Sequence, residues 1–382
     1  MKKIFYWSPH ISRVATIRNV LNSAIALAKY DKNKTEISII DAFGEWKKFK
    51  EKINFNRINY IKLASPDLSH FLPISGYFKG RVFYLIIFFF NIFKLKQLLL
   101  KLKPDYLIVH LITSIPLILL LNNKFHTKFI LRISGLPKLN LLRKLLWKKI
   151  SKKISLVTCP SLETKILIEK LDIFPKEKIV VLYDPILSVK SIKKNLSIKK
   201  DYELHEKKYF LNIGRLTSQK NQSLLIEAFS QIKNESILLY IAGDGEKKKY
   251  LSKLIKLKKL ENKVFLLGQI DNVFPLIKNS IAVISTSLWE DPGAVMIESA
   301  FCNKTIICSN CPNGPKEFTE NGKGGYLFIN NSKLDLSNKI KDFINDDDSI
   351  KFEKKVVSKK NSKKYSLFRH YKQLNKLLNL YV

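Results

Sequence analysis

Short runs of consecutive Ile, Leu, Val and aromatic residues, each followed by an amphipathic stretch, recur along this chain and then begin again after a lysine-rich interruption. A strand whose apolar residues are continuous rather than alternating is buried on both faces, which implies a parallel sheet covered by helices on each side. In the first half these runs are Lys3 to Trp7, Glu36 to Ala42, Tyr60 to Ala64, Asp105 to Leu111, Lys128 to Ser134, Ser155 to Cys159 and Ile179 to Tyr183, with helical patterns such as Thr16 to Tyr30 and Asn140 to Lys152 between them. The periodicity fails around Leu187 to Lys208, where Lys190 to Lys200 reads as a linker. It restarts with Tyr209 to Ile213, Ile237 to Ala242, Lys263 to Leu267, Ile281 to Ser287 and Thr305 to Cys308. At 382 residues the chain exceeds one usual core, so the expectation is α/β with two doubly wound domains, 1–190 and 205–364. The tail 365–382 reads as an amphipathic helix able to pack back on the first domain, and the charged block Lys354 to Lys364 before it reads as frayed. Ligands of open α/β sheets bind outside the carboxyl ends of the strands, so the active site is expected in a cleft between the halves.

The loops at those strand ends carry the candidate chemistry. Gly214-Arg215 follows one strand, and Lys220 precedes the helix that begins at Asn221. Two cations beside a helix N-terminus suit a diphosphate, although taken alone an Arg and a Lys in a surface loop read more readily as solvent-facing charges. Glu290 lies in a loop with a Pro-Gly breaker, and Glu298 on the helix launched by Gly293, Ala294 and Val295, whose first amides lack bulky side chains. An acid such as Glu298 amid Ala294, Val295, Ile297 and Ala300 requires a partner if that face is buried. His110 ends the strand Asp105 to Leu111, where a structural and a functional role are both open.

The formal net charge of +36 points to anionic partners, a polyanion or an anionic membrane face. Only eight of the 68 basic residues are arginines, so solvated lysine faces explain the charge as well, and readers of bases and phosphates, which favour Arg, are disfavoured. Four cysteines are too few for a disulfide framework, and Cys308-Ser-Asn-Cys311 lacks the second pair that a closed zinc site needs. The apolar start Ile4 to Trp7 is too short for a signal peptide and reads as a buried strand. The longest apolar run, Val82 to Phe93, falls short of the ~20 residues of a spanning helix, so no segment is expected to cross a bilayer.

Taken in order, Gly214-Arg215-Leu216 with Lys220-Asn221, Ala242-Gly-Asp-Gly245, Leu267-Gly268, the Glu290 and Glu298 pair, Cys311 to Glu317, Asn321-Gly322 and Gly325 to Phe328 resemble glycosyltransferase family 4 across the second half of the chain. The resemblance implies a GT-B fold, with a nucleotide-sugar donor (UDP- or GDP-sugar) held mainly by the C-terminal domain and transferred with retention, and no separate cofactor. It implies that Arg215 and Lys220 hold the diphosphate, Glu298 the ribose, Glu290 the donor sugar, and the Gly268 to Ile270 backbone the base. His110 matches a position where the family often places a histidine near the transferred sugar. In the first loop, Ser8 to Arg13 departs from the glycine pair of many members. No metal is expected, since the cations supply its charge and no Asp-x-Asp follows a strand; Asp346-Asp-Asp348 falls in a polar turn.

Phe78 to Lys103 sets an aromatic and aliphatic face beside Lys94, Lys96, Lys101 and Lys103, and a second basic helix runs from Lys138 to Lys153. Such helices lie in a membrane interface or serve as buried crossovers. With the resemblance, they imply a peripheral enzyme on the inner face of the cytoplasmic membrane. It would extend an O-antigen or capsule glycan on a polyprenyl-linked acceptor. The alternatives are a sugar-nucleotide epimerase of the same fold, disfavoured by the two glutamates, and a basic nucleic-acid-binding protein, disfavoured by the scarcity of Arg.

Overall fold

Thirteen strands, all paired in parallel, form two separate sheets in a computed structural model that describes residues 1–10, 15–31, 34–63, 77–135, 137, 139–198 and 205–380. The strands are β1 Lys2–Trp7, β2 Thr35–Asp41, β3 Asn59–Lys62, β4 Tyr106–Val109, β5 Lys128–Arg132, β6 Leu156–Cys159, β7 Ile179–Val181, β8 Lys208–Ile213, β9 Ile237–Ala242, β10 Val264–Gly268, β11 Ala282–Ser285, β12 Thr305–Ser309 and β13 Tyr326–Phe328. The first sheet runs β3-β2-β1-β4-β5-β6-β7 and the second β10-β9-β8-β11-β12-β13. The chain divides into one unit of Met1–Pro185 with Leu367–Val382, and a second of Ile186–Ser366.

The continuous apolar runs of the first sheet are explained by what each side chain meets. Phe5, Trp7, Leu107, Val109, Phe129 and Leu131 enter one core, shared with helices Tyr77–Leu102, Ser114–Asn122 and Leu141–Ile150. Their neighbours Ile4, Tyr6, Tyr106, Ile108 and Ile130 enter another, shared with helices Ala15–Tyr30 and Leu367–Leu380. Period-2 alternation between two covered faces leaves few positions for a polar residue.

Helix Leu367–Leu380 is tied to the first sheet by polar contacts as well as by Leu374 and Leu378. His370 Nδ1 lies 2.7 Å from the Tyr183 carbonyl, which only accepts, so this nitrogen carries the proton. Its Nε2 therefore accepts from the Ser23 hydroxyl at 2.8 Å, and Ser23 in turn accepts from the Tyr6 hydroxyl at 2.8 Å. Beside this chain, Arg132 is paired with Asp184 and donates to the Leu182 carbonyl at 2.8 Å, while Asn19 donates to Asp184 at 2.8 Å. Burial pushes the His370 imidazole down from 6.5 to about 4. A basic group whose folded pKa is depressed contributes stability that is intact above the unfolded value and lost as pH falls toward the folded one, here between 6.5 and about 4. We expect the unfolding midpoint to drop across that window, and the drop to shrink in His370→Gln. Buried Asp184 and Glu45, whose carboxyls are pushed upward by desolvation, act in the opposite sense, so the parent-minus-variant difference isolates the imidazole.

Four sequence expectations need correction. The lysine-rich stretch read as a linker contains helix Val189–Ser197, whose buried Ile192 is enough to dock it in the second unit. The block expected to fray belongs to helix Asp348–Ser362, which packs on Ala294–Phe301 and buries Ser358, Asn361 and Ser362, the Asn361 amide donating to the Phe318 carbonyl at 3.0 Å. Strand β13 adds a sixth member to the second sheet; three residues after a glycine pair are too short to show as a run. The apolar run that seemed too short for a bilayer continues as one helix, and Phe83–Leu102 within it is long and apolar enough to cross a membrane by length and composition. Its stripe Phe83, Ile87, Asn91, Leu95 and Leu99 is buried in the first unit, while Leu85, Phe89, Phe90 and Phe93 are exposed.

Candidate active site

In the second sheet the strand order reverses between β8 and β11, neighbours from which the chain winds outward in opposite directions. The two loops leaving these strands at their carboxyl ends diverge and leave a crevice, the usual ligand position in an open α/β sheet. They are 214–221 and 286–293, the two segments that carry most of the candidate residues.

These loops are joined side chain to side chain. Lys220 Nζ donates to Glu290 Oε1 at 2.5 Å, and the same oxygen accepts from the buried Ser287 hydroxyl at 2.6 Å. Thr286 Oγ1 donates to the Lys220 carbonyl at 2.9 Å, and the Leu288 amide to the Gln219 carbonyl at 2.8 Å. The ammonium is thereby held at the reversal point, and among the described residues two of its three N–H donors are still to place. Arg215 is exposed, and its backbone is held by Gln222, whose amide donates to the Arg215 carbonyl at 3.1 Å. On the other side, Gly293 caps helix Ala294–Phe301 with φ of 94°, and the half-buried Ala294 and Val295 open it. Glu298 is 7% exposed on that helix, so the acid is buried as its apolar neighbours suggested. Cations near a helix N-terminus are a setting that favours an anion.

Glycines make the crevice possible. Gly243, at φ of 148°, lies so close to Gly214 that a Cβ on it would fall 1.9 Å from the Gly214 carbonyl oxygen. This backbone contact explains why Gly-Asp-Gly follows β9: the turn props the Gly214-Arg215 segment, and the Leu216 amide donates to the Asp244 carbonyl at 2.9 Å. Gly314 abuts Pro292 in the same way, with a Cβ placed 2.6 Å from its carbonyl oxygen. Gly243→Ala should therefore lower the unfolding free energy by about 1–3 kcal/mol, the size of stored backbone strain, measured by urea titration.

Gly268, at the end of edge strand β10 with φ of 71°, accepts from the Gly243 amide at 2.7 Å, and Ile270 follows half-buried. The three loops thus share one sheet edge. His110 belongs to the first unit, where it follows β4 at that sheet's own reversal point between β1 and β4. Its amide donates to the Trp7 carbonyl at 2.9 Å and its ring stacks on Tyr6 at 6.2 Å. Burial, then the nearby charge of Arg132, pushes its pKa well below the usual value, so the imidazole is neutral at pH 7. In the loop after β1, His10 packs edge-on against Trp46 at 5.0 Å, and Arg13 lies outside the described residues. Cys308 and Cys311 are free, buried thiols, raised by desolvation, that of Cys311 to about 11.

Sequence reasoning did not foresee Ser287 as the second donor to Glu290, nor the buried set Arg132, Asp184 and His370.

Two doubly wound sheets, one with a cation-lined, glycine-shaped reversal point, define an α/β protein of the GT-B class. Residues 194–365 match the glycosyl transferases group 1. It is 33% identical over 246 residues to an uncharacterized glycosyltransferase of Methanocaldococcus jannaschii, covering 59% of this chain and 60% of that protein. It is 31% identical over 140 residues to the N-acetylgalactosamine-N,N'-diacetylbacillosaminyl-diphospho-undecaprenol 4-alpha-N-acetylgalactosaminyltransferase of Campylobacter jejuni, covering 37% of this chain and 38% of that protein. The match thus spans under two thirds of either relative. HepE of Anabaena, crystallised with UDP, superposes with a TM-score of 0.73 at 16% identity over 100% of both chains, a likeness of fold.

Proposed function

We propose that the protein transfers a sugar, with retention at the anomeric carbon, from a nucleoside-diphosphate sugar to a polyprenyl-linked glycan during surface polysaccharide synthesis. The observation that carries this reading is the joining of Lys220 to Glu290 at the reversal point of the second sheet, beside Arg215 and the Gly293-capped helix. The UDP held by HepE and the diphospho-undecaprenol in the name of the Campylobacter relative support it.

In this reading the bond from the anomeric carbon to the diphosphate oxygen breaks, the acceptor hydroxyl oxygen bonds to that carbon, and the hydroxyl proton ends on the departing diphosphate. Negative charge grows on the leaving group, so Arg215, Lys220 and the amides of Gly293 to Val295 act where it develops. Glu290 uses Oε1 for Lys220 and Ser287, which leaves Oε2 for a sugar hydroxyl, while Glu298 grips the ribose and the backbone from Gly268 to Ile270 receives the base. His110, kept neutral, offers a hydrogen bond to the transferred sugar.

The outer stripe of the long helix, with Phe89 at 69% and Phe93 at 73% exposure, and the lysines at its end fit a peripheral position on an anionic cytoplasmic leaflet. The test has two arms. UDP-, GDP- and ADP-sugars are screened by thermal shift, where one of them should raise the midpoint. Vesicles with and without anionic lipid are cosedimented with the parent and with Lys94, Lys96, Lys101 and Lys103 changed to Glu. No shift with any sugar nucleotide would sink the donor assignment, and unchanged sedimentation would remove the helix as the contact.

A further inference from the structure

Helices Ser114–Asn122 and Leu141–Ile150 pack side by side in the first unit, and the former also packs on Tyr77–Leu102. Between them runs an open groove of about 770 Å³, within the size range of sites for small ligands. Its walls are apolar: Ile118 and Leu121 from one helix, Leu142, Leu145 and Trp147 from the other. The helix Leu141–Ile150 already fills the core with Trp147 and Ile150, yet Leu142 and Leu145 stand 77% and 48% exposed on its outer side. Such side chains have no role in holding the helix to the sheet.

One end of the groove is polar and cationic. Thr113 and Ser114 open the helix Ser114–Asn122, which has no side-chain cap, and Asn140 and Arg143 face them from the other helix's start. Among the described residues, the Ser114 hydroxyl is buried without a hydrogen-bond partner. This end follows β4, on the same loop as His110. A helix start, an arginine and an unused hydroxyl suit a phosphate, and the walls beyond suit a chain of methylenes.

We propose that this groove holds a single amphiphile: the phosphate of a lipid-linked acceptor at Ser114 and Arg143, and the first part of its hydrocarbon chain along Leu142 and Leu145. The assignment rests on the transferase reading and gives its acceptor a place. A protein helix would not need the polar end, and free phosphate would not need the walls. In the reading above a bilayer contact falls to the exposed stripe of Phe89 and Phe93, which do not line the groove.

The test titrates the full chain calorimetrically with inorganic phosphate and with hexyl, octyl and decyl phosphate below their micelle concentrations. Each added methylene should tighten binding about fourfold, the ratio set by ~0.8 kcal/mol per buried CH2. In Leu142→Ser/Leu145→Ser, whose positions are solvent-facing, that chain-length slope should flatten while the thermal midpoint holds. Arg143→Gln should weaken all alkyl phosphates alike and keep the slope. The Phe89→Ser/Phe93→Ser control should bind alkyl phosphates as the parent does. Equal affinity for inorganic and decyl phosphate, or a full slope in the double serine variant, overturns the groove assignment. Sugar-nucleotide thermal shifts are run on the same samples. A flat slope with a retained shift rejects the groove alone, whereas a steep slope without any shift rejects the transferase reading and leaves a lipid-phosphate site.

Discussion

Arg215→Ala should reduce sugar transfer by about 10²–10³-fold, the cost of deleting one donor aimed at developing charge, while leaving the folding midpoint nearly unchanged. The expectation follows from its surroundings. Arg215 is exposed at the mouth of β8, and the loop around it is held through its backbone: the Leu216 amide on the Asp244 carbonyl, the Gln222 side-chain amide on the Arg215 carbonyl, and Gly243 against Gly214. Truncating the guanidinium removes charge from the crevice without removing any of these. Lys220 is a poorer probe, because its loss would also strip Glu290 of its ion pair and mix a folding defect with a chemical one. The measurement is turnover under saturating donor together with a melting curve. Parent-like turnover in Arg215→Ala would falsify the diphosphate role.

The second large effect concerns stability. Arg132→Met should destabilise the protein by about 3–5 kcal/mol, since it leaves Asp184, whose side chain is 7% exposed, as an uncompensated buried charge. Desolvation already pushes the Asp184 carboxyl upward, and the arginine is the main influence opposing it. Without Arg132 the carboxyl would bind its proton still more tightly, so the defect should grow as pH rises above the ordinary value of 3.8. Arg132→Met/Asp184→Asn should recover most of the loss, because the neutral amide removes the stranded charge. Urea titrations of parent, single and double variants decide the matter, and a single variant as stable as its parent would mean that water reaches the pair.

The strands were legible because burial on both sides of each sheet leaves a continuous apolar signature; Ile4 and Tyr6 serve one core while Phe5 and Trp7 serve the other. Helix Asp348–Ser362 was illegible for the converse reason: its buried contacts are Ser358, Asn361 and Ser362, and its lysines dominate the pattern. The short helix Val189–Ser197 hides in the same way behind a lone Ile192. In the site, glycine and proline at strand ends marked where loops 214–221 and 286–293 leave the sheet, so their residues could be named. Their partners could not. The bond from Lys220 to Glu290 spans 70 positions and depends on β8 lying next to β11, a crossover that no local pattern records. The buried set of Arg132, Asp184 and His370 joins three distant segments, each with one unremarkable polar residue.

The return of the last helix to the first sheet sets an order of events during synthesis. Tyr6 and Ser23 are made early, yet the imidazole that ends their hydrogen-bond chain emerges only after the whole of Ile186–Ser366. At ordinary translation speeds that interval of about 180 residues lasts roughly 10–40 s. The intervening unit can close on itself as it leaves the ribosome, whereas the amino-terminal one must wait with the hydrophobic bed of its final helix uncovered. Such a nascent chain is vulnerable to aggregation at its beginning and is rescued from its end, so a premature stop before Leu367 should harm the part of the protein made first.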